Sequence, residues 1–139
     1  MIDRFLPDVA AAAREAIAYL ADAFPGALRL VYDNYNALAI AFSPNKKAGD
    51  AIFSVALYPR WANLFLVGGP DLPDPNSLLS GDGSTMRYIR LQNRLIASPA
   101  VVTLIEAAAA GAKIPFDPRG TGYTIIKSIA AKQRARRPS

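Results

Sequence analysis

Three groups of residues in this chain have types and spacings suited to chemistry. Gly81-Asp82-Gly83-Ser84-Thr85, with Arg87 and Arg90 close behind, has the look of a phosphate cradle. Asp8, Glu15 and Asp22 recur at intervals of seven, as metal-binding carboxylates on one side of a helix would. Tyr58, Arg60, Trp61, Asn63, Phe65, Tyr88 and Arg90 bring together aromatic rings, an amide and guanidinium groups, the side chains that bind a partner or a small ligand.

Other chemistry is excluded by composition. The 139 residues include no histidine and no cysteine. The commonest general base, the commonest transition-metal ligand and every thiolate nucleophile are therefore missing. Ser-His-Asp and Cys-His machinery cannot be built, and no paired carboxylates or serine–lysine motif stand out. The expectation is a protein that is not an enzyme.

The elements that must position these residues follow from periodicity. Phe5, Val9, Ala12, Ala13, Ala16, Leu20 and Phe24 form one stripe of a helix over 3–24, stopped by Pro25-Gly26. Alternation predicts strands over Leu28–Asp33, Asn36–Phe42, Ala51–Tyr58 and Trp61–Val67, with Pro59-Arg60 as a hairpin turn. Pro70, Pro73 and Pro75 make 68–77 a loop. Met86–Gln92 reads as a fifth strand, and Ser98-Pro99 opens a second helix that runs to Ala110 and ends at Gly111. Tyr123–Ile129 reads as a further strand, and the residues after it as a frayed basic tail.

Short connections imply antiparallel pairing. The fold class is thus α+β, a two-layer sandwich with an N-terminal helix, an antiparallel meander of five to six strands and a C-terminal helix on the same face. Leu38, Ile40, Phe42, Phe53, Val55, Leu57, Leu64, Leu66, Ile89 and Leu91 should face the helices. The opposite face should carry Ala37, Ala39, Ala41, Ser54, Ala56, Tyr58, Trp61, Asn63, Phe65, Tyr88 and Arg90. It does not turn polar as a solvated sheet face normally does. Either it is an open interface or ligand platform, or the C-terminal segment with Tyr123, Ile125 and Ile126 folds across it as a cover.

Against this frame the glycine run reads as a turn. It leads into a strand rather than a helix, no lysine follows, and Asp82 would repel a phosphate. On the first helix, seven residues rise ~10.5 Å, while an ion needs oxygens at roughly 2–2.6 Å. Asp8, Glu15 and Asp22 can therefore give only separate, water-completed contacts. Asp71 and Asp74 are an acidic pair in the proline loop.

The segments VYDNYNALAIAF, ALYPRWANLFL and LPDPNSLLSGDGSTMRYIRL resemble the YdhG-like family (domain of unknown function 1801), described as frataxin-like. The third carries the specific pattern: a leucine pair, Gly-x-Gly, then arginine and alternating apolar residues. The resemblance spans about residues 5–110 and implies a helix–sheet–helix fold, with iron chaperoning as the activity given to some members. Ser84 stands where the family commonly has lysine, and the first helix carries few of the acids of iron-handling frataxin relatives.

The resulting division is a YdhG-like domain over 1–112 and an extension with a basic tail over 113–139. The net charge is +5. It resides in Lys127, Lys132, Arg134, Arg136 and Arg137, since the other 11 basic residues match the 11 acidic ones. That tail is the one candidate for nucleic-acid phosphates. Acids interrupt the apolar residues of 1–24, so neither a signal peptide nor a membrane span is expected, and the location is read as cytoplasmic. The expected activity is binding of a ligand or protein partner, a second copy included, through the open sheet face. Iron is the alternative ligand, and no cofactor is named.

Overall fold

The computed structural model describes residues 1–92 and 94–138. Helix α1 (Pro7–Ala23) begins with proline at its first position, where no N–H is needed, and Asp8 in its first turn. Val9, Ala13, Ala16 and Leu20 form its buried stripe. The two alanines let the helix lie close over the central strands. Helix α2 (Pro99–Ala110) buries Val101, Leu104, Ile105 and Ala108, an i, i+3, i+4, i+7 face.

The strands are β1 (Leu28–Asp33), β2 (Leu38–Ser43), β3 (Phe53–Leu57), β4 (Ala62–Val67), β5 (Met86–Arg90) and β6 (Thr124–Ile129). They form one sheet in the order β5-β4-β3-β2-β1-β6. The first five make the expected antiparallel meander. All ten residues assigned to the helix-side face lie in the core, each at most 6% exposed.

Three expectations for the C-terminal part need correction. The sheet is mixed, because β6 runs parallel to β1. A strand that returns by way of α2 and a long connection is free to pair in the parallel sense, whereas short hairpins impose the antiparallel one. Secondly, the C-terminal segment does not fold across the open face but widens the sheet at its edge. Two glycines permit this: a Cβ on Gly122 would overlap the Ala27 carbonyl oxygen, and one on Gly26 would overlap that of Asp117.

Thirdly, the tail is not frayed. Ala130 N donates to Asp33 O (2.8 Å) and Arg134 N to Tyr35 O (2.9 Å), so the chain continues along the β1–β2 turn. The Arg136 side chain is buried and its Nη2 donates to Asp33 Oδ1 (2.8 Å) and to Asn34 O (2.6 Å). Arg137 Nε reaches back to Arg4 O (3.0 Å). The cause is Asp33, which occupies a helix-side position of β1 and is 5% exposed. A buried carboxylate is stable only when paired, and the tail brings the cation.

Candidate functional site

Sheet register decides which side chains meet on the face away from the helices. One cross-strand row runs Ile125, Leu30, Ala41, Ser54, Phe65, Tyr88. The next runs Tyr32, Ala39, Ala56, Asn63, Arg90. Small residues on β2 and β3 thus form a floor between two bulkier flanks.

The β1 flank is a small core of its own. Leu28, Leu30 and Ala41 are buried there, with Tyr32, Ala51 and Ile125 packed against them. This was hidden in the sequence because both faces of β1 are buried, so Leu30 and Val31 break the alternation. Part of the face expected to be open is therefore closed locally. Lys127 Nζ donates to Lys46 O (3.2 Å), tying β6 to the loop after β2.

The β4–β5 flank remains accessible and holds most of the aromatic and polar set. Phe65 and Tyr88 pack ring against ring at 5.4 Å. Arg90 lies over the Trp61 ring at 4.1 Å, and its Nε donates to Asn63 Oδ1 (3.0 Å). Asn63 is buried, so its amide oxygen is satisfied by a charged donor. Trp61 stays 40% exposed although its neighbours hold it in place. The hairpin turn places it: Tyr58 N donates to Trp61 O (2.8 Å), with Pro59 and Arg60 at the tip. Tyr58, Trp61, Asn63, Phe65, Tyr88 and Arg90 come together as the sequence suggested, and Arg60 stands exposed beside them.

Burial and the neighbouring Tyr88 both raise the Tyr58 phenol above its ordinary value. In the unfolded chain the phenol ionises near pH 10, and in the folded chain it does so higher. Its contribution to stability is complete below pH 10 and is lost as pH rises through the folded value. Absorbance titration at 295 nm should show one tyrosine ionising late, and Tyr58→Phe should remove that component. Loss of a different component would show that another tyrosine is the protected one.

The carboxylates of α1 take a different course. Asp8 lines a shallow cleft of about 190 Å³ with Val9, Arg60, Trp61, Arg90 and Leu91. It also accepts from Val9 N at the helix start (3.0 Å). Glu15 and Asp22 lie further along the same helix, two and four turns away. Among the described residues no three Asp or Glu side chains gather where a metal ion could sit.

The glycine run is a turn. Gly81 has φ +96°, and a Cβ there would press on the Tyr88 ring. Arg87 Nε donates to Gly83 O (2.9 Å), closing the turn and engaging the guanidinium that a phosphate would need. In the proline loop, Asp74 accepts from Leu78 N (2.8 Å) and Leu79 N (2.9 Å), a loop-building role.

Sequence reasoning missed the Asp33–Arg136 pair. The available signal was an acid at a core-facing strand position, which demands a cation from elsewhere. It also missed the apolar edge at Ile126 and Ile129, which are 56% and 59% exposed.

Compared with protein-family models, curated proteins and solved structures, the chain matches none. The likeness to the YdhG-like family rests on its quoted segments alone. No helix among the described residues is long and apolar enough to cross a membrane.

Proposed function

We propose that the chain is a non-enzymatic binding domain that docks a protein partner on the β4–β5 end of its open sheet face. The observation that carries this reading is Trp61, an indole left 40% exposed yet held against Arg90. Tryptophan and arginine dominate the energetic centres of protein interfaces. Here both are oriented before any partner arrives, so less side-chain freedom is lost on binding. Phe65, Tyr88 and Tyr58 extend the apolar contact inward. Arg60 and Arg90 meet a single acid, Asp8, in the adjoining cleft, which favours a partner surface bearing carboxylates among apolar groups.

The basic tail supports a nucleic-acid role poorly. Arg136 is buried against Asp33, Arg137 bonds the backbone at Arg4, and Arg134 Nη1 bonds Asn36 Oδ1 (3.4 Å).

The test compares the proteins retained from a lysate by wild-type and Trp61→Ala baits. Each discriminated protein is then purified and titrated by fluorescence of Trp61, the chain's single tryptophan, with Arg90→Ala as a partner variant. Arg90→Ala should weaken binding of the purified protein by ~10-fold or more, and Trp61→Ala, followed by calorimetry, by ~30-fold, as expected for about 2 kcal/mol at an interface centre. Equal retention by both baits, or equal affinities after purification, would remove the proposal.

A further inference from the structure

The two edges of the sheet are treated differently. At β5 the outer edge is covered, since Ser80 N donates to Tyr88 O (2.7 Å) and Tyr88 N donates back to Ser80 O (3.1 Å). At β6, the other end of the strand order, no described residue bonds the outer side.

Register identifies the free groups. Arg29 N donates to Tyr123 O (2.9 Å), and Ala130 N donates to Asp33 O (2.8 Å). Thr124 and Ile129 stand opposite Arg29 and Asp33. In a parallel ladder, the residue opposite such a bracketed partner turns its own N–H and C=O outward. Thr124 and Ile129 therefore offer their backbone groups to a further strand, as does Ile126, two residues beyond Thr124.

Side chains add to this template. Ile126 and Ile129 are 56% and 59% exposed on the helix side of the sheet. Both helices are packed over the central strands and leave this edge uncovered. Long apolar edges invite indiscriminate pairing, and proteins blunt them with lysine and bulges. Both devices occur here: Lys127 lies mid-strand, and the register shifts between Val31 and Tyr32.

Charge then selects the occupant. No Asp or Glu follows Asp117 in the chain. Lys127 and Lys132 are exposed on or just beyond the strand, and Arg29 Nε donates to Thr124 Oγ1 (3.0 Å) beside it. Asp33, the one acid of β1, is already held by Arg136. A second copy would bring its own basic strand against this one, and like charges across a strand pair are unfavourable. We infer that the β6 edge accepts an extended acidic segment of a partner protein as a seventh strand. Alternate apolar side chains of that segment would lie against Ile126 and Ile129, and its carboxylates toward Lys127 and Lys132.

The experiment uses the full chain and two synthetic ten-residue peptides, one alternating Val with Glu and one alternating Val with Lys, each carrying a fluorophore. Anisotropy should show the acidic peptide binding at least ten times more tightly than the basic one, with affinity falling as salt is added. Ile126→Glu places a repelling charge at an exposed position. It should reduce acidic-peptide binding at least ten-fold, with a melting temperature close to that of wild type. Trp61→Ala should leave this binding unchanged, which separates the edge from the sheet-face site. Equal binding of both peptides, no binding of either, or undiminished binding by Ile126→Glu would overturn the inference. So would sedimentation of the chain alone as a dimer that Ile126→Glu dissociates, since the edge would then belong to a second copy.

Discussion

Arg136→Ala is expected to cost about 3 kcal/mol of folding stability, the low end of what loss of one partner costs a buried ion pair. The side chains of Arg136 and Asp33 are 2% and 6% exposed and 2.8 Å apart. The guanidinium also bonds Asn34 O and Tyr35 O, so one fork gathers three acceptors of the β1–β2 turn. Without it, Asp33 must ionise unpaired or the tail must lift to admit water. Two backbone bonds, Ala130 N to Asp33 O and Arg134 N to Tyr35 O, hold the tail along the turn, so lifting is feasible and the cost stays at the low end. For a domain of this length the melting temperature should fall by roughly 6–12 °C.

Arg136→Lys should recover less than half of the loss, because an ammonium cannot serve the same planar fork. Asp33→Ala with Arg136→Ala should cost much less than the sum of the singles, since the double variant leaves no orphaned charge. Urea denaturation of the set measures this. Additive losses, or an Arg136→Ala variant as stable as wild type, would show the pair to be incidental.

Phe53→Ala should be the most damaging single truncation in the aromatic core, at about 3–5 kcal/mol. Phe53 is 0% exposed on β3. Its ring lies 5.3 Å from Phe24 at the end of α1 and 5.8 Å from Phe116, which lies beyond α2. Phe24 and Phe116 complete the triangle at 5.2 Å. The cluster therefore joins helix, sheet and C-terminal extension, and each tilted ring pair adds about 0.5–1.5 kcal/mol to simple burial. Phe116 is only half-buried, so Phe116→Ala should cost less overall. Its distinguishing effect should be faster amide exchange in β6, since it anchors the connection leading there. A Phe53→Ala loss below ~1 kcal/mol would mean that the cavity collapses freely.

These two sites show how unevenly the fold could be read in advance. The helix-side core was legible to the residue because large aliphatic or phenyl side chains recur at every second position along β2 to β5, and alternation of period two then names their face. The turn at Gly81 and the α2 boundaries were legible for similarly local reasons, a glycine at positive φ and a proline at a first helical position. β1 was not, because its two faces are both buried and no alternation survives. The cluster around Trp61 was half legible: alternation put its members on one face, but not the stacking of Arg90 on the indole or the Arg90–Asn63 bond.

Local pattern in the chain thus established the helices, the antiparallel meander, the face each strand buries and the want of histidine and cysteine chemistry. Those features depend on interactions a few residues apart or on composition. The parallel placement of β6, the clasp of Arg136 on Asp33 and the bare strand edge at Ile126 and Ile129 emerged from the folded arrangement alone. Asp33 and Arg136 are 103 positions apart. Nothing local distinguishes a basic tail that will be solvated from one that will be buried. The choice is made by a single carboxylate on the helix side of β1, which needs a cation once it is buried.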